Sequence, residues 1–421
     1  MNIIVIGSGG REHAIIKKLV QSPAVDKIYA LPGNGGMTEA ECVDVGAKDI
    51  PAIVEFAKTH DIGFAVVAPD DPLVLGCVDA LEKIGIPCFG PSAAAAQIEG
   101  SKVFSKNLMK KYGIPTAAYE VFESVDDARE YIKNCDLPIV IKADGLALGK
   151  GVLICMTREE AEDGLREIME DKVFGASGNR VVIEEFLEGP EVSVLSFTDG
   201  KVVVPMVSSM DHKRIGDNDT GLNTGGMGTV APNPYYTADV AEECMEKIFL
   251  PTINAMNAEV RTFKGCLYFG LMITKNGPKV IEYNCRFGDP ETQVVLPLLE
   301  TDLFEIMQAV AAGELEKVDV KFKDAHACCV ILASNGYPKK YATGFPMTLP
   351  EQPKHNAEIY IAGAKVKDGV LVTGGGRVLG VTAVADTLET AVKYAYEAAA
   401  DVKFEGAYMR HDIGQRALQC K

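Results

Sequence analysis

The sequence lacks the features that would place the protein in a membrane or outside the cell. No stretch of about 18 consecutive apolar residues occurs, and the opening "MNIIVIG" runs into glycines without the basic region of a signal peptide. Eleven cysteines are present, but none has CxxC spacing, so neither a zinc site nor a disulfide framework is indicated. Low-complexity tracts and solenoid repeats are also missing. These absences predict a cytoplasmic globular protein without a membrane partner.

Positive charge is also scarce relative to negative charge. The chain has 42 Lys and Arg against 59 Asp and Glu, a formal net charge of -17. Nucleic-acid binding without sequence preference depends on neutralising phosphates, so this balance argues against it and requires any anionic ligand to be held in a local pocket. A length of 421 residues, 47% of them hydrophobic and 24% charged, indicates a soluble enzyme of roughly two to four domains.

A nicotinamide-binding fingerprint is incomplete at the N-terminus. In "VIGSGGREHA" a strand runs into Gly7, Gly9 and Gly10, but the third glycine of the fingerprint would fall at Glu12. The following strand, "YALPGN", ends without the acid that would bind a ribose hydroxyl. The turn still predicts an anion site, because free backbone N–H groups and the helix dipole favour a phosphate, with Arg11 nearby. The alternative is a tight strand-to-helix turn without a ligand.

A Walker A motif is missing as well. In "IKADGLALGKG", Gly151 stands where Ser or Thr should follow Gly149 and Lys150. Lys142 on a strand, followed by a loop with Gly145, is instead typical of a lid that closes over a triphosphate and excludes water. An ordinary hairpin with a surface lysine is the alternative.

The order of strands and helices predicts an α/β and α+β multidomain protein. The first hundred residues alternate between strand and helix, which predicts a doubly wound parallel sheet. One helix is expected in "PLVLGCVDALEKIG", and another, interrupted by a glycine, in "SAAAAQIEGSKVFSKNLMKKYG". The next unit should form a largely antiparallel sheet. A last unit of short strands, such as "IYIAGAKV", and one helix begins near residue 326.

The segment "EYNCRFGDPETQ" concentrates polar groups directly after an apolar strand. Glu282 and Asn284 should share a face because side chains two positions apart in a strand point the same way. Two oxygen donors suit a magnesium ion whose remaining ligands are substrate phosphates, and Arg286 on that face could neutralise a transferred phosphoryl group. A surface ion-pair patch is the alternative.

Residues 211–228, "DHKRIGDNDTGLNTGGMG", are expected to form a long loop without regular structure, which is usually functional. His212 is a candidate base, although a single histidine is more often an ordinary hydrogen-bonding residue. Lys213 and Arg214 are better candidates for contacts with anions.

The segment "RVVIEEFLEGPE" places acids around two apolar residues at the end of a strand. Its backbone could meet a flat base while a carboxylate takes ribose hydroxyls, and an acidic strand edge is the alternative. The residues concerned are Glu184, Glu185, Phe186, Leu187 and Glu191.

Together these motifs resemble the ATP-grasp ligases, and within them the phosphoribosylamine–glycine ligase (glycinamide ribonucleotide synthetase) family. The resemblance covers essentially the whole chain. It is carried by the segments "GSGGREHA", "PGN", "FGP", "EGSK", "IKADGLALGKGV", "VIEEFLEGPE", "DHKR", "NTGGMG", "EYNCRFGDPETQ" and "GGRVLGVTA".

The resemblance implies three domains. Residues 1–101 would form the substrate-binding doubly wound domain, residues 102–325 the ATP-grasp domain with a mobile lid near 116–190, and residues 326–421 a small C-terminal mixed domain. It also implies a monomer that uses ATP and Mg²⁺ or Mn²⁺. The implied reaction joins glycine to 5-phosphoribosylamine through a glycyl phosphate and gives glycinamide ribonucleotide, ADP and phosphate in purine biosynthesis.

The resemblance further implies a role for individual residues. ATP would be held by Lys102, Lys142, Gly145, Gly149, Lys150, Gly151, Glu184, Glu185, Phe186, Leu187 and Glu191, and the metal by Glu282 and Asn284. Catalytic groups would be Asp211, Lys213 and Arg286. Substrate contacts would come from Gly9, Gly10, Arg11, Asn34, Asp70, Asn223, Thr224, Gly225 and Asp289.

Two departures from the family pattern accompany these expectations. The strand "YFGLMIT" lacks the further acidic metal ligand that is usual across the superfamily. In "APDDPLV", Asp70 replaces a longer carboxylate near the ribose of the aminosugar. A related purine-synthesis ligase that uses formate or bicarbonate should differ in "DHKR" and "NTGGMG", and a non-catalytic nucleotide-binding protein should have lost the lysine or metal positions.

Overall fold

The N-terminal part forms a parallel sheet because apolar strands alternate with helices. The computed structural model describes residues 1–146 and 151–420. The elements are β1 (Asn2–Gly7), α1 (Gly10–Leu19), β2 (Lys27–Pro32), β3 (Glu41–Cys42), α2 (Ile50–Thr59), β4 (Ile62–Val67), α3 (Asp70–Val74), α4 (Cys77–Glu82) and β5 (Cys88–Phe89). The strands lie in the order β3-β2-β1-β4-β5 and all pairs are parallel. The predicted doubly wound domain is confirmed.

Small residues divide each of two segments that the sequence predicted as helices, the second with a joint at its glycine. Gly76, with a φ of +86°, separates α3 from α4, because a left-handed backbone conformation cannot continue a helix. Farther along, Ser101 has an extended backbone between α5 (Ala93–Gly100) and α6 (Lys102–Tyr112). Its hydroxyl accepts a hydrogen bond from the Phe104 amide, so it caps the second helix.

The next unit is a four-stranded antiparallel sheet, as predicted. Its elements are β6 (Tyr119–Phe122), α7 (Val125–Asn134), β7 (Ile139–Ala143), β8 (Val152–Cys155), α8 (Arg158–Leu165) and β9 (Val181–Glu185). The strand order is β6-β9-β7-β8. Apolar side chains of this sheet and its two helices form a separate core. We call this unit the lid sheet.

Residues 191–312 supply a second antiparallel sheet and the loop elements that follow it. The strands are β10 (Glu191–Thr198), β11 (Val203–Pro205), β12 (Met210–Asp211), β13 (Arg214–Gly216), β14 (Thr220–Asn223), β15 (Gly228–Ala231), β16 (Gly265–Thr274) and β17 (Gly277–Asn284). The helices are α9 (Ala238–Cys244), α10 (Leu250–Ala258), α11 (Thr292–Val295) and α12 (Leu303–Ala312). The central sheet has the order β11-β10-β16-β17, and its core is continuous with that of the N-terminal sheet.

The expectation that residues 211–228 lack regular structure is wrong. Strands β13 and β14 pair as an antiparallel hairpin within this segment. The segment also begins on β12 and ends on β15, which pair with each other. The polar composition concealed these strands, because an exposed hairpin has no apolar face to reveal its period.

The C-terminal part completes a sheet that includes strands from both sides of residue 326. Its elements are β18 (His326–Ser334), β19 (Glu358–Ile361), β20 (Ala364–Lys367), β21 (Val370–Thr373), β22 (Arg377–Ala385), α13 (Leu388–Ala399), β23 (Ala407–Tyr408) and α14 (Gln415–Leu418). The order is β12-β15-β18-β22-β19, with β23 beside β18. The single strand expected in "IYIAGAKV" is instead β19 and β20, which belong to different sheets. None of the described helices has the length and apolarity needed to cross a membrane.

Candidate active site

The turn from β1 to α1 leaves little space for side chains at its glycines. A Cβ atom at Gly9 would lie 2.8 Å from Oε2 of Glu12. One at Gly10 would lie 2.7 Å from Nε2 of Gln293, a buried residue of α11. The space beside Gly10 is therefore limited partly by a helix almost three hundred residues later in the chain.

Two amides of this turn are already occupied, contrary to the expectation that they are free for an anion. The Gly9 amide donates to Glu12 Oε2 over 2.6 Å, and the Arg11 amide donates to Asp289 Oδ2 over 3.1 Å. The guanidinium group of Arg11 donates to Glu12 Oε1 over 2.6 Å and to the carbonyl of Phe287 over 3.0 Å. Carboxylates of the chain thus complement the positive end of α1.

Asp289 and Arg377 join the N-terminal turn to residues 211–228, which we call the glycine-rich loop. Nη1 of Arg377 lies 3.3 Å from Oδ1 of Asp289 and donates to the Gly225 carbonyl over 2.7 Å. A Cβ atom at Gly225 would lie 2.9 Å from Cζ of Arg377. Burial alone would raise the pKa of Asp289, but Arg377 and Arg11 hold it below its ordinary value. Asp289, an ionised carboxylate, is therefore bonded to Arg11 directly and linked to Gly225 through Arg377.

Glu282 and Asn284 lie on the same face of β17, as the alternation of a strand requires. They pair with Gly270 and Tyr268 of β16, so the strand opposite carries no acid at these positions. Nζ of Lys213, from the glycine-rich loop, lies 3.6 Å from Oε1 of Glu282.

Four cations surround the Glu282 carboxylate. Burial would raise its pKa, but Lys213, Lys142, Lys102 and Arg286 outweigh burial and hold the pKa below its ordinary value. The group is therefore a charged oxygen donor at neutral pH. These cations come from four separate segments of the chain, and they meet where the sequence predicted phosphates.

The donor set fits a magnesium ion that is bound together with phosphates. Among residues 1–146 and 151–420 no group of three or more His, Cys, Asp and Glu side chains could hold a metal ion by itself. Glu282 and Asn284 offer one carboxylate and one amide oxygen, and Mg²⁺ in such sites takes its other ligands from phosphates and water. The surrounding lysines would repel a metal ion alone. A metal ion bound to a polyphosphate would be attracted, because the phosphates carry more negative charge than the ion carries positive charge.

Arg286 is oriented by a carboxylate that the sequence analysis did not single out. Its Nη2 atom lies 3.1 Å from Oε1 of Glu99, while Oε2 of Glu99 accepts a hydrogen bond of 2.7 Å from the Cys285 amide. Burial would lower the pKa of Arg286, but Glu99 and Asp70 raise it. Asp70, at the start of α3, is thereby placed near Arg286.

A buried ion network joins the lid sheet to the central sheet. Nζ of Lys142 lies 3.0 Å from Oε1 of Glu184 and donates to the Ile281 carbonyl over 2.9 Å. Oε2 of Glu184 lies 2.9 Å from Nζ of Lys106, which also donates to the Thr116 hydroxyl over 2.8 Å. Lys106 and Glu184 are almost completely buried. Glu184 therefore pairs both with Lys142, another predicted ATP ligand, and with Lys106, which was not predicted.

His212 is held as a neutral hydrogen-bonding residue. Its Nε2 atom accepts a bond of 3.2 Å from the Gly414 amide, so Nδ1 carries the proton and donates to the Gly228 carbonyl over 3.0 Å. Burial lowers the pKa of His212 to about 4. A general base needs an unprotonated nitrogen that is free to accept a proton, but Nε2 of His212 already accepts the bond from Gly414. The geometry supports the alternative of an ordinary hydrogen-bonding histidine.

Comparisons with known proteins match this arrangement throughout the chain. The three domain models of phosphoribosylglycinamide synthetase match residues 1–99 (N domain), 100–292 (ATP-grasp domain) and 327–416 (C domain). The chain belongs to the phosphoribosylglycinamide synthetase family.

Relatives and solved structures agree with the family assignment. The chain is 47% identical to phosphoribosylamine–glycine ligase of Haemophilus influenzae, covering 100% of this chain and 99% of the relative. For the ligase of Clostridium acetobutylicum the identity is 47% and the coverage 99% and 100%. The crystal structure of the Thermotoga maritima ligase has a TM-score of 0.86 at 36% identity, covering 98% and 100%. Biotin carboxylase of Campylobacter jejuni, at 15% identity, 97% and 92% coverage and a TM-score of 0.76, shares the fold.

Other residues that the family resemblance singled out lie around the same junction. Glu185 accepts from the Ala118 amide over 3.2 Å and lies 2.9 Å from Nζ of Lys279. Phe186 and Leu187 follow it, half-buried, in the segment that leaves the lid sheet. Glu191, at the start of β10, lies 3.2 Å from Nζ of Lys213.

The remaining predicted residues are placed as follows. Nδ2 of Asn34 donates to the carbonyls of Ser8 and Ile361. Asn223 pairs with Arg214 in the hairpin, and the Thr224 hydroxyl donates to the Lys213 carbonyl. Lys102 donates to the Gly145 carbonyl over 2.9 Å, and the Gly151 carbonyl accepts from the Ala143 amide. Gly149 and Lys150 lie outside the described residues.

Besides Glu282 and Glu191, two further carboxyl groups, those of Asp211 and Glu291, lie in the region of Lys213. Burial raises the pKa of Asp211 well above its ordinary value, and the charge of Glu291 adds to that effect. Glu191 raises the pKa of Lys213, which keeps the amine charged. Glu291 is buried and lies 3.4 Å from the Ser193 hydroxyl. Sequence reasoning missed Glu291, Glu99, Lys106 and Arg377, although three of them belong to segments that carried the family resemblance.

Proposed function

We propose that this chain is an ATP-dependent ligase that joins glycine to 5-phosphoribosylamine and forms glycinamide ribonucleotide, ADP and phosphate. This is the reaction named for its relatives, and it belongs to purine biosynthesis. The observation that supports it best is the meeting of Glu282 and Asn284 with cations from four separate segments. That combination serves phosphoryl transfer, which needs a metal to bridge phosphates and fixed cations to neutralise charge.

The site residues take the following roles in the proposal. Lys102 and Lys142 contact ATP phosphates, and Glu282 with Asn284 binds the magnesium ion that accompanies them. The backbone of residues 185–187 contacts adenine, and Glu191 contacts the ribose. Lys213 and Arg286 lie beside Glu282 and Asn284, so we assign them to the transferred phosphoryl group.

The chemistry requires that glycine be activated before it reacts with an amine. A glycine carboxylate oxygen attacks the γ-phosphorus of ATP, the bond to the β-phosphate oxygen breaks and ADP leaves. The amine of the aminosugar then attacks the acyl carbon of glycyl phosphate, and phosphate leaves as the nitrogen loses a proton. Magnesium would supply charge neutralisation on the polyphosphate. The chain contributes positioning and electrostatic stabilisation, without a covalent enzyme intermediate.

We further propose that residues 1–101 bind the aminosugar and that residues 102–325 bind ATP. Residues 326–421 would contribute further contacts to the same site. Arg377 supports the last assignment, because it reaches Asp289 and Gly225 from the C-terminal part. The family resemblance is the basis on which we propose that the chain functions as a monomer.

The proposed function is tested by ADP release from the purified full chain with MgATP. Omission of either glycine or phosphoribosylamine should reduce the rate to background, and product analysis should show glycinamide ribonucleotide. ADP release that is indifferent to glycine, or that requires formate or bicarbonate in its place, would assign the chain to another ligase.

The metal-binding pair gives a sharper test of the site. We expect Glu282→Gln to lower kcat by about 100-fold or more, because the lost carboxylate acts in chemistry and not in core packing. Circular dichroism and the melting temperature should remain close to those of the parent. Glu246→Gln, which changes an exposed glutamate, is the control. A Glu282→Gln variant with near-normal turnover at low magnesium would remove this residue from the metal site.

A further inference from the structure

The C-terminal segment, residues 408–414, binds the hairpin that follows Lys213. Arg410 is only 1% exposed, and its Nη1 atom donates to the carbonyl of Arg214 over 3.0 Å. The same atom lies 2.9 Å from Oδ1 of Asp219. Nε and Nη2 of Arg410 donate to Asp412 over 2.8 and 2.7 Å. The guanidinium group therefore fixes one backbone carbonyl of the loop and is itself fixed by two carboxylates.

Further bonds attach the hairpin to this segment. The hydroxyl of Tyr408 donates to the carbonyl of Ile215 over 2.7 Å. The His411 amide donates to Asp217 over 2.7 Å, and the Asn218 amide donates to Asp412 over 2.8 Å. The hairpin is mostly polar and half-exposed, so these bonds, and not a hydrophobic core, hold its position.

Lys213 lies between two residues that the C-terminal segment holds. On one side, the ring of His212 accepts from the Gly414 amide. On the other, the carbonyl of Arg214 accepts from Arg410. The Lys213 carbonyl itself accepts from the amide and the hydroxyl of Thr224, each over 2.8 Å. The backbone at Lys213 is thus restrained at three successive residues.

This restraint matters because the side chain of Lys213 is long and 36% exposed. Its amine lies 3.2 Å from Glu191 and 3.6 Å from Glu282, between the predicted ribose and metal ligands. A lysine side chain has many rotamers, so the position of its ammonium group depends on a fixed backbone. Misplacement of such a group by about 1 Å can reduce a rate about 100-fold.

We propose that the C-terminal segment, through Arg410, Tyr408 and the Gly414 amide, positions Lys213 for the ligase reaction. The inference rests on the proposed function. Arg410 is a positioning residue and acts only through the backbone of the loop. The C-terminal part would then contribute to catalysis without placing these side chains on a substrate.

Arg410→Met in the full chain tests the proposal. We expect kcat to fall about 100-fold while KM for ATP changes less than about threefold, because a displaced Lys213 affects the transferred group more than the bound nucleotide. Arg410→Lys should recover part of the loss, since a cation would still face Asp412. The matched control is Arg416→Met, because Arg416 also lies near Asp219, at 3.4 Å, but is 44% exposed.

Hydrogen exchange of the free protein supplies a readout that does not depend on turnover. Amides of residues 212–216 should exchange faster in Arg410→Met than in the parent and in Arg416→Met. Tyr408→Phe, which removes a single hydroxyl, should cause a smaller increase and a smaller loss of kcat, and it decides the question if Arg410→Met does not fold.

The outcomes distinguish the inference from the proposed function. Absence of glycine-dependent ADP release in the parent would overturn the function, whereas the exchange data would still report on the restraint. An active parent whose Tyr408→Phe and Arg410→Met variants keep kcat would overturn the positioning role. So would a loss of kcat accompanied by faster exchange throughout the chain, because that result describes general destabilisation.

Discussion

Individual side chains at the candidate site depend on neighbours that are distant in sequence. The amide of Arg11 is bonded to a carboxylate 278 positions away, and Arg286 is oriented by Glu99. Such contacts bring the N-terminal turn, the end of β17 and the glycine-rich loop together. A substitution at one of them should therefore change the geometry of the candidate site.

Gly10 offers a test of this view at the N-terminal turn. Gly10→Val would direct a side chain at Nε2 of Gln293, which donates to Asp289 over 3.0 Å, and would disturb the junction there. We expect KM for phosphoribosylamine to rise about tenfold or more, because the turn belongs to the part that we assign to the aminosugar. ATP affinity should stay nearly constant, because the lysines proposed for ATP lie elsewhere. Separate titrations of the two substrates measure this difference.

Gly46→Val is the matched control, because a Cβ atom at Gly46 would meet nothing within 4 Å. It should leave both titrations unchanged. An equal loss for both substrates in Gly10→Val, or a loss confined to ATP, would show that the turn does not serve the aminosugar.

The sequence predicts the relative position of residues within one strand, because side chains alternate between its two faces. The pair Glu282 and Asn284 follows from strand alternation alone, and the structure shows them on one face. Glu99 and Arg377 could not be placed in this way, because their partners are set by the packing of separate units. Nor could the occupied amides of Gly9 and Arg11 be foreseen, since one of the carboxylates that occupy them comes from a distant loop.

At the scale of elements, strong apolar patterns were predictable and polar ones were not. The parallel sheet was predicted from apolar strands that alternate with helices. The antiparallel sheets were predicted from apolar strands that follow one another along the chain. The hairpin β13–β14 escaped prediction because its strands are short and mostly polar. The break at Gly76 depends on a left-handed conformation that sequence alone permits but does not require. Elements are most predictable where burial selects one face.

The ion network between α6, β7 and β9 leads to a prediction at this scale. Glu184 is shared by Lys106 and Lys142, so removal of Lys106 should strengthen the hold of Glu184 on Lys142. We expect Lys106→Met to raise Kd for ATP about five- to tenfold, because Lys142 is then less available to a phosphate. ATP titration monitored by calorimetry measures the effect without turnover.

Lys110→Met is a suitable control for that experiment. Lys110 lies one turn later on α6 and over the same Tyr119 ring as Lys106, at 5.6 Å, but it is exposed. Lys106→Arg should retain most of the ATP affinity, because a cation still faces Glu184. If Lys106→Met and Lys110→Met bind ATP equally well, the network does not control Lys142.

At the scale of the whole molecule, the C-terminal sheet joins parts of the chain that lie far apart in sequence. Strands β12 and β15, which flank the glycine-rich loop, pair within the same sheet as β18 and β22. His212 follows β12 directly and is bonded to the Gly414 amide. Protonation of this histidine would therefore weaken a contact between two distant segments, so the stability of this junction should depend on pH.

The sign of that dependence follows from the pKa of His212. Burial lowers it from 6.5 to about 4, so between these values the unfolded chain binds a proton that the folded chain does not. Protonation then favours unfolding: the stability is fully present above pH 6.5 and is lost as the pH falls toward 4. At pH 5 the loss from this group should be about 2 kcal/mol.

Urea unfolding at pH 7 and pH 5, in the parent and in His212→Gln, measures the effect. Other groups also titrate in this range, so the informative quantity is the difference between the two proteins. The parent should lose about 2 kcal/mol more free energy of unfolding than the variant, because glutamine cannot take up the proton. His60→Gln, a change at an exposed histidine, should lose as much as the parent. Equal losses in the parent and in His212→Gln would mean that His212 is not held neutral, and the bond from the Gly414 amide would then not restrain the residue next to Lys213.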